Sequence, residues 1–204
     1  MLAGLILAAG QARRFGSDKR QASLPDGRSL LAHTLSTYRT VCDTLYVVIG
    51  PDDAFAQALC KEWECRAVVN PQPEQGMGSS LACGIQAIKH DDPTDAIRGV
   101  IVGLADMPGV SPQVIQLVQQ TLQDRASSYP DQPVVPRHQG RLGHPRGIPR
   151  AWFDTLLHLT GDQGARSAIP WDQAHVLDVN EPGILIDIDT PADLDQWVNE
   201  KSTR

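Results

Sequence analysis

The sequence predicts an α/β fold: a Rossmann-like three-layer sandwich around a mostly parallel sheet, formed by the whole chain, 1–204, as one domain. Three observations carry this expectation. Short, wholly apolar runs (Leu5–Leu7, Leu45–Ile49, Val100–Leu104) read as strands buried on both faces. Stretches with apolar residues at helical spacing follow them, so that strand and helix alternate four times. The strands stop abruptly at small or acidic residues, where parallel sheets bind ligands.

Taken in order, Leu5–Leu7 is the first strand and ends in Ala8-Ala9-Gly10. Ser29 to Tyr38 reads as a helix with Leu30, Leu31, Leu35 and Tyr38 in register. After the strand Leu45–Ile49 and Gly50-Pro51, Asp52 is placed to cap a helix running to about Trp63. Ala67–Val69 is a short strand, residues 70–78 a loop, and Ser79–Lys89 a helix with Leu81, Ile85 and Ile88 aligned. Beyond Val100–Leu104, Ser111-Pro112 opens a helix in the order cap then proline, carrying Val114, Leu117, Val118 and Leu122. Later come a short strand at Val134-Val135, a helix from about Arg150 to Leu159, and a last strand at Ile184–Ile188. A final helix opens at Thr190-Pro191.

The bulk numbers narrow the class of ligand. The chain has 204 residues, 41% of them hydrophobic, enough for a substantial core. Its formal net charge of −6 argues against general nucleic-acid binding. No apolar run is long enough to span a membrane, and Met1–Ala9 lacks the basic start of a signal sequence, so a cytoplasmic protein is expected. The four cysteines form no C-x-x-C pair and read, with the four tryptophans, as packing residues.

Within this acidic chain, positive charge is concentrated. Arg13, Arg14, Lys19 and Arg20 follow Gly10 closely and are interrupted by Gly16. Exposed amides with small side chains and a cluster of cations suit a polyphosphate. The spacing is neither a Walker A motif nor a dinucleotide fingerprint. Asp106, directly after a buried strand, is placed to hold a divalent cation or else to make a turn. Asp187 and Asp189, two apart on the expected last strand, point to one face, where a cation or a basic group would relieve their repulsion, unless one merely caps the helix that opens at Thr190-Pro191. One carboxylate from each strand end would make a Mg²⁺ site. Gly76, Gly78, Ser79 and Ser80 suit backbone recognition of a base or ribose, or form a plain loop with a serine cap. Arg137, His138, Arg141, His144, Arg146 and Arg150 crowd between glycines and read as a second anion-binding region or as a solvated surface hairpin, with His144 a positioning group or merely structural.

These residues fall into an ordered set: Leu7-Ala-Ala-Gly10, Arg14-Phe-Gly16 and Lys19; Gly76-Met-Gly-Ser-Ser-Leu81; Ala105-Asp-Met-Pro108; Gly143-His-Pro145; Gly161-Asp-Gln-Gly-Ala-Arg166; and Asp187-Ile-Asp-Thr-Pro191. The set resembles the nucleotidyltransferases similar to molybdenum cofactor cytidylyltransferases and guanylyltransferases, over nearly the whole chain. The resemblance implies a nucleotide-diphospho-sugar transferase-like fold. It implies an enzyme that binds a nucleoside triphosphate with Mg²⁺ and transfers the nucleotidyl group to a phosphorylated acceptor such as molybdopterin.

By this resemblance Asp106 and Asp189 hold the metal, and Arg14 and Lys19 bind the triphosphate and, with Asp106, form the catalytic set. The nucleotide lies along Leu7, Ala8, Ala9, Gly10, Arg13, Gly16, Gly76, Gly78, Ser79 and Ser80, and the acceptor meets Arg137, Arg141, His144 and Arg146. Ala8-Ala9-Gly10 looks more like the cytidylyl branch, which implies CTP. A molybdoenzyme or a maturation chaperone is the implied protein partner. Arg20-Gln21 and Arg146-Gly-Ile148 depart from the family, which is more apolar at both places. A guanylyltransferase, a sugar- or alcohol-phosphate nucleotidyltransferase and a non-catalytic nucleotide-binding chaperone remain open as alternatives.

Overall fold

The computed structural model describes residues 1–10, 15–161, 164–166 and 168–202. Four parallel strands form one half of the sheet: β1 (Ala3–Leu7), β2 (Leu45–Ile49), β3 (Arg66–Val69) and β4 (Gly99–Leu104), in the spatial order β3-β2-β1-β4. The second half is mixed. After β5 (Val134–His138) and the two-residue β6 (Arg141–Leu142), β7 (Arg146–Pro149) runs antiparallel between β4 and β5. β8 (His175–Asp178) pairs with β5 in parallel.

The strand period divides the core between two faces. Ile6, Val47, Ile49 and Ile101 pack with helices α1 (Leu30–Arg39), α2 (Ala54–Glu62) and α4, Pro112–Arg125. Their neighbours Leu5, Tyr46, Val48, Val100 and Val102 pack with α3 (Met77–Asp91) and the single turn α5, Phe153–Leu156. Alternate residues of one strand thus serve opposite layers, which is why these strands carry almost no polar residue. On the second face α3 lies close to β1. A Cβ at Gly84 would stand 2.6 Å from Leu5 Cδ1, so only glycine allows that approach. A third, smaller cluster joins Leu24, Leu30, Ile188 and Trp197, where α6 (Pro191–Ser202) closes the chain over the start of α1.

Five local expectations are corrected. Asp53, not Asp52, caps α2: its Oδ1 accepts from the Ala56 amide at 3.0 Å, and Asp52 takes a left-handed φ of 54°. α3 starts at Met77, two residues before Ser79. The helix expected from about Arg150 to Leu159 is a 3-10 turn, Arg150–Trp152, followed by the one turn of α5. β8 falls where no strand was expected. Ile184–Ile188 is not a strand, so Asp187 and Asp189 do not share a strand face. Pro182–Leu185 is a 3-10 turn, and the backbone beyond it spends its hydrogen bonds on loops. Ile184 O accepts from His144 N at 3.0 Å, and Ile188 N donates to Asp106 O at 2.9 Å. The alternation of isoleucine and aspartate has the period of a strand, but these bonds and the close seating of Gly183 on Gly109 fix another path.

Candidate active site

The first cleft opens at the carboxyl ends of β1 and β2, with a volume of about 720 Å³ and walls that include Ala9, Gly10, Gly16, Asp18, Arg20 and Asp53. Its floor continues the sheet, because Ala8 N donates to Val48 O at 2.8 Å beyond the last ladder pair. Gly16 takes φ 80°, the left-handed region that favours glycine. Asp18 then caps a short turn, Lys19–Gln21. Arg20 serves structure here. Its Nε and Nη2 each reach Asp18 at 2.8 Å, and its Nη1 donates to the Ala8 carbonyl at 2.8 Å and to Asp53. One guanidinium therefore fastens the loop to the end of β1 and to the start of α2. The hydrogen bond from Arg20 holds the Asp18 carboxyl below the usual carboxylate range, against the effect of burial. Arg13 and Arg14 lie outside the described residues.

Beside this loop the expected catalytic lysine and both metal-site carboxylates come together. Lys19 Nζ lies 2.7 Å from Asp106 Oδ2 and 2.9 Å from Asp189 Oδ1. The three side chains are 13%, 22% and 28% exposed. Burial disfavours the ammonium, but the charges and hydrogen bonds of Asp106 and Asp189 outweigh it and raise the Lys19 pKa.

The backbone explains why residues 83 positions apart meet. Ile188 N donates to Asp106 O at 2.9 Å, and Asp193 caps α6 by accepting from Asp189 N and Thr190 N at 3.1 and 2.7 Å. On the other side, Thr34 Oγ1 donates to Ala105 O at 3.2 Å and holds the Asp106 turn to α1.

No group of three or more His, Cys, Asp or Glu gathers for a metal among the described residues. Two carboxylates nonetheless fit a hard divalent cation whose other ligands come from phosphate oxygens and water. Asp106 Oδ1 is buried and has no hydrogen-bond partner, which leaves it for such a cation.

The Gly76–Ser80 segment is built inward. Asn70 Nδ2 donates to Ser79 Oγ at 2.9 Å and to Ser80 Oγ at 3.1 Å, and all three residues are buried. Gly76 has φ 89° and Gly78 N donates to Gly161 O at 2.8 Å. These residues fix the entry to α3, and their hydroxyls are already engaged.

A second cavity, of about 360 Å³, lies between β1, β4, β7, α3 and a 3-10 turn, Gly164–Arg166. Leu7, Met77 and Leu104 line it together with His144, Arg146 and Arg166. Burial, and then the charge of Arg146, push the His144 pKa down to about 3. Burial and the charge of Arg166 push Arg146 down to about 10. The Arg146 guanidinium stacks 4.4 Å from the Trp171 ring centre.

The structure divides the four residues expected to meet one acceptor. His144 and Arg146 share this cavity. Arg137 turns outward to pair with Asp178 at 2.7 and 2.8 Å, and Arg141 lines a separate cleft with His138. Arg166 and Trp171, which sequence reasoning did not mark as site residues, take the vacated places. The signal for Arg166 was the Gly161–Arg166 motif; for Trp171 there was none.

A glycine loop at the end of β1, two carboxylates around a lysine and a cation-lined cavity on a doubly wound sheet define a nucleotidyltransferase. The chain belongs to the family of MobA-like NTP transferase domains, which it matches over residues 4–176. It is similar to the probable molybdenum cofactor guanylyltransferase of Chloroflexus aggregans, with 32% identity over 122 residues. That match covers 59% of this chain and 53% of the relative, so it spans about half the relative's length. It is 28% identical over 208 residues to the purine catabolism protein PucB of Bacillus subtilis, covering 95% of this chain and 94% of that one.

Among solved structures, a homolog of Mycobacterium tuberculosis Rv0371c from Mycobacterium sp. strain JC1 is 26% identical with a TM-score of 0.78, covering 99% of this chain and 97% of the other. Rv0371c itself, in complex with manganese, shares the fold with a TM-score of 0.74 at 22% identity, covering 97% of this chain and 98% of that one. No helix among the described residues is long and apolar enough to cross a membrane.

Proposed function

We propose that this protein transfers a nucleotidyl group from a nucleoside triphosphate to the phosphate of a molybdopterin-type acceptor, with Mg²⁺ held by Asp106 and Asp189. The observation that carries the reading is the placing of Lys19 Nζ between those two carboxylates, beside a glycine loop at the strand ends. In the reaction an acceptor phosphate oxygen attacks the α-phosphorus. The bond from that phosphorus to its bridging oxygen breaks, and pyrophosphate leaves with the bond electrons. The acceptor is already anionic, so no general base is needed.

The work left to the protein is positioning and charge neutralisation. Lys19 moves its ammonium from the carboxylates to the phosphates. Arg14 is placed by sequence to join it. Arg20 keeps the turn Lys19–Gln21 fastened to the end of β1 and to the start of α2. The metal supplies charge neutralisation at the reacting phosphates when bound.

The donor base has support from two sides. The name of the Chloroflexus relative favours GTP, and Ala8-Ala9-Gly10 favours CTP. Pyrophosphate release with CTP, GTP, ATP and UTP, each with Mg²⁺ and freshly prepared molybdopterin cofactor, separates them. Release with one of the first two only names the donor. Release with none, despite triphosphate binding, refutes transfer to a molybdopterin-type acceptor and leaves another phosphorylated acceptor or a nucleotide-binding chaperone.

A further inference from the structure

We propose that the cavity lined by His144, Arg146 and Arg166 binds a second anionic group of the acceptor, one that carries a neighbouring hydrogen-bond donor. The inference rests on the transfer reading above, in which the attacking phosphate meets Lys19, Asp106 and Asp189. None of those three residues lines this cavity, so an anion held here is a different group of the same molecule.

The argument begins with charge. Two other partly buried guanidinia are matched by carboxylates: Arg20 by Asp18 and Asp53, Arg150 by Asp92 and Asp95. Arg146 and Arg166 face one cavity, and neither makes a side-chain hydrogen bond or ion pair with a described residue. Arg146 Nε is buried without a partner, and its ring of donors is held in plane by the Trp171 stack. Burial of Arg146, and then the charge of the exposed Arg166, disfavour the Arg146 guanidinium until an anion joins it. A planar fork held by an aromatic ring suits bidentate capture of an oxyanion.

His144 sets the second requirement. Its Nδ1 is buried with no partner, and burial keeps the ring neutral. We assign the proton of the neutral ring to Nε2, so that Nδ1 is an acceptor. It asks for an N–H or O–H on the ligand. The other walls, Leu7, Met77, Leu81, Val102, Leu104 and Ile148, are apolar. The complementary ligand has a flat or apolar body with an oxyanion and a donor at one end.

Trp171 provides a reporter for the test. Inorganic phosphate and sulfate are titrated into the full-length protein without nucleotide, followed by tryptophan fluorescence and calorimetry. A saturable signal is expected in the wild type and in Lys19→Met. It should weaken at least about tenfold in Arg146→Met and Arg166→Met, with a partial loss in Arg146→Lys. In Trp171→Phe the optical signal should vanish while heat remains. In turnover, Arg146→Met should raise the acceptor KM about tenfold or more while leaving the nucleotide KM near wild type.

Equal anion binding in the arginine variants, or an unchanged acceptor KM, overturns the proposal. If wild-type protein releases pyrophosphate yet shows no arginine-dependent anion binding, this inference fails and the transfer reading stands. If anion binding depends on both arginines but no acceptor supports turnover, the transfer reading fails, and with it the assignment of the anion to an acceptor.

Discussion

The two clefts at the strand ends solve the problem of concentrated charge in opposite ways. Around Lys19 the described cations have counter-charges: one ammonium is shared by Asp106 and Asp189, and Arg20 by Asp18 and Asp53. Around Arg146 the charges on the described residues that line the cavity are all of one sign, and the nearby histidine is kept neutral. The first region is organised before any ligand arrives, and a ligand must displace an ammonium to use its carboxylates. The second gains most of its stabilisation only when an anion enters. Substitutions in the first region should therefore act on rate and on metal binding, and those in the second on acceptor affinity and on stability.

The largest effect is expected at Asp106. Asp106→Ala should lower turnover at least about a thousandfold while the circular dichroism spectrum is kept. Near-normal turnover in Mg²⁺ would remove Asp106 from the metal site. Lys19→Met should slow turnover about a hundredfold. The same variant should bind Mn²⁺ more tightly than wild type without nucleotide, because the competing ammonium is gone. Paramagnetic resonance of free Mn²⁺ reads this directly, and weaker binding would show that Lys19 does not compete for that seat.

Gly183→Ala sharpens the comparison by disturbing how the first region is held. A Cβ there would run into the backbone of Gly109. A loss of about 1–3 kcal/mol of stability in urea unfolding is expected, with a raised metal requirement as Asp189 shifts. Wild-type stability would mean that the 180s segment is not fixed against the Asp106 turn.

An effect absent at neutral pH belongs to His144, whose folded pKa lies near 3 against an ordinary 6.5. Between those values the unfolded chain binds a proton that the folded chain does not, so stability falls as pH drops through this window. Its slope is at most about 1.4 kcal/mol per pH unit. His144→Gln should flatten the fall in Tm between pH 6.5 and 4 relative to wild type. An identical pH profile would mean that this ring is not held neutral by its surroundings.

In the half of the fold built from β1 to β4, strands β1, β2 and β4 were legible because they are buried on both faces and show it as unbroken apolar runs. β3, largely exposed at the sheet edge, showed only as the short run Ala67–Val69. The second half was not legible. β7 reads Arg-Gly-Ile-Pro, and its arginine is there to line a cavity. β8 reads His-Val-Leu-Asp and is too short for any period to show. Ile184–Ile188 had the period of a strand without a partner to pair with.

The site followed the same division. Lys19, Asp106 and Asp189 could be picked out by residue type and position, but their mutual pairing depends on Ile188 N meeting Asp106 O, which no local pattern encodes. The cluster from Arg137 to Arg150 misled because nearness in sequence crosses a hairpin. Arg137 leaves for Asp178, while Arg146 meets Arg166 and Trp171 from a later part of the chain.

The most direct test of nucleotidyl transfer follows the α-phosphorus. With α-labelled nucleotide, Mg²⁺ and the molybdopterin acceptor, the label should move to the acceptor with one pyrophosphate released for each transfer, and Asp106→Ala should show neither. Label recovered as free nucleoside monophosphate, or nucleotide bound and left intact, would contradict transfer at the Lys19–Asp106–Asp189 centre.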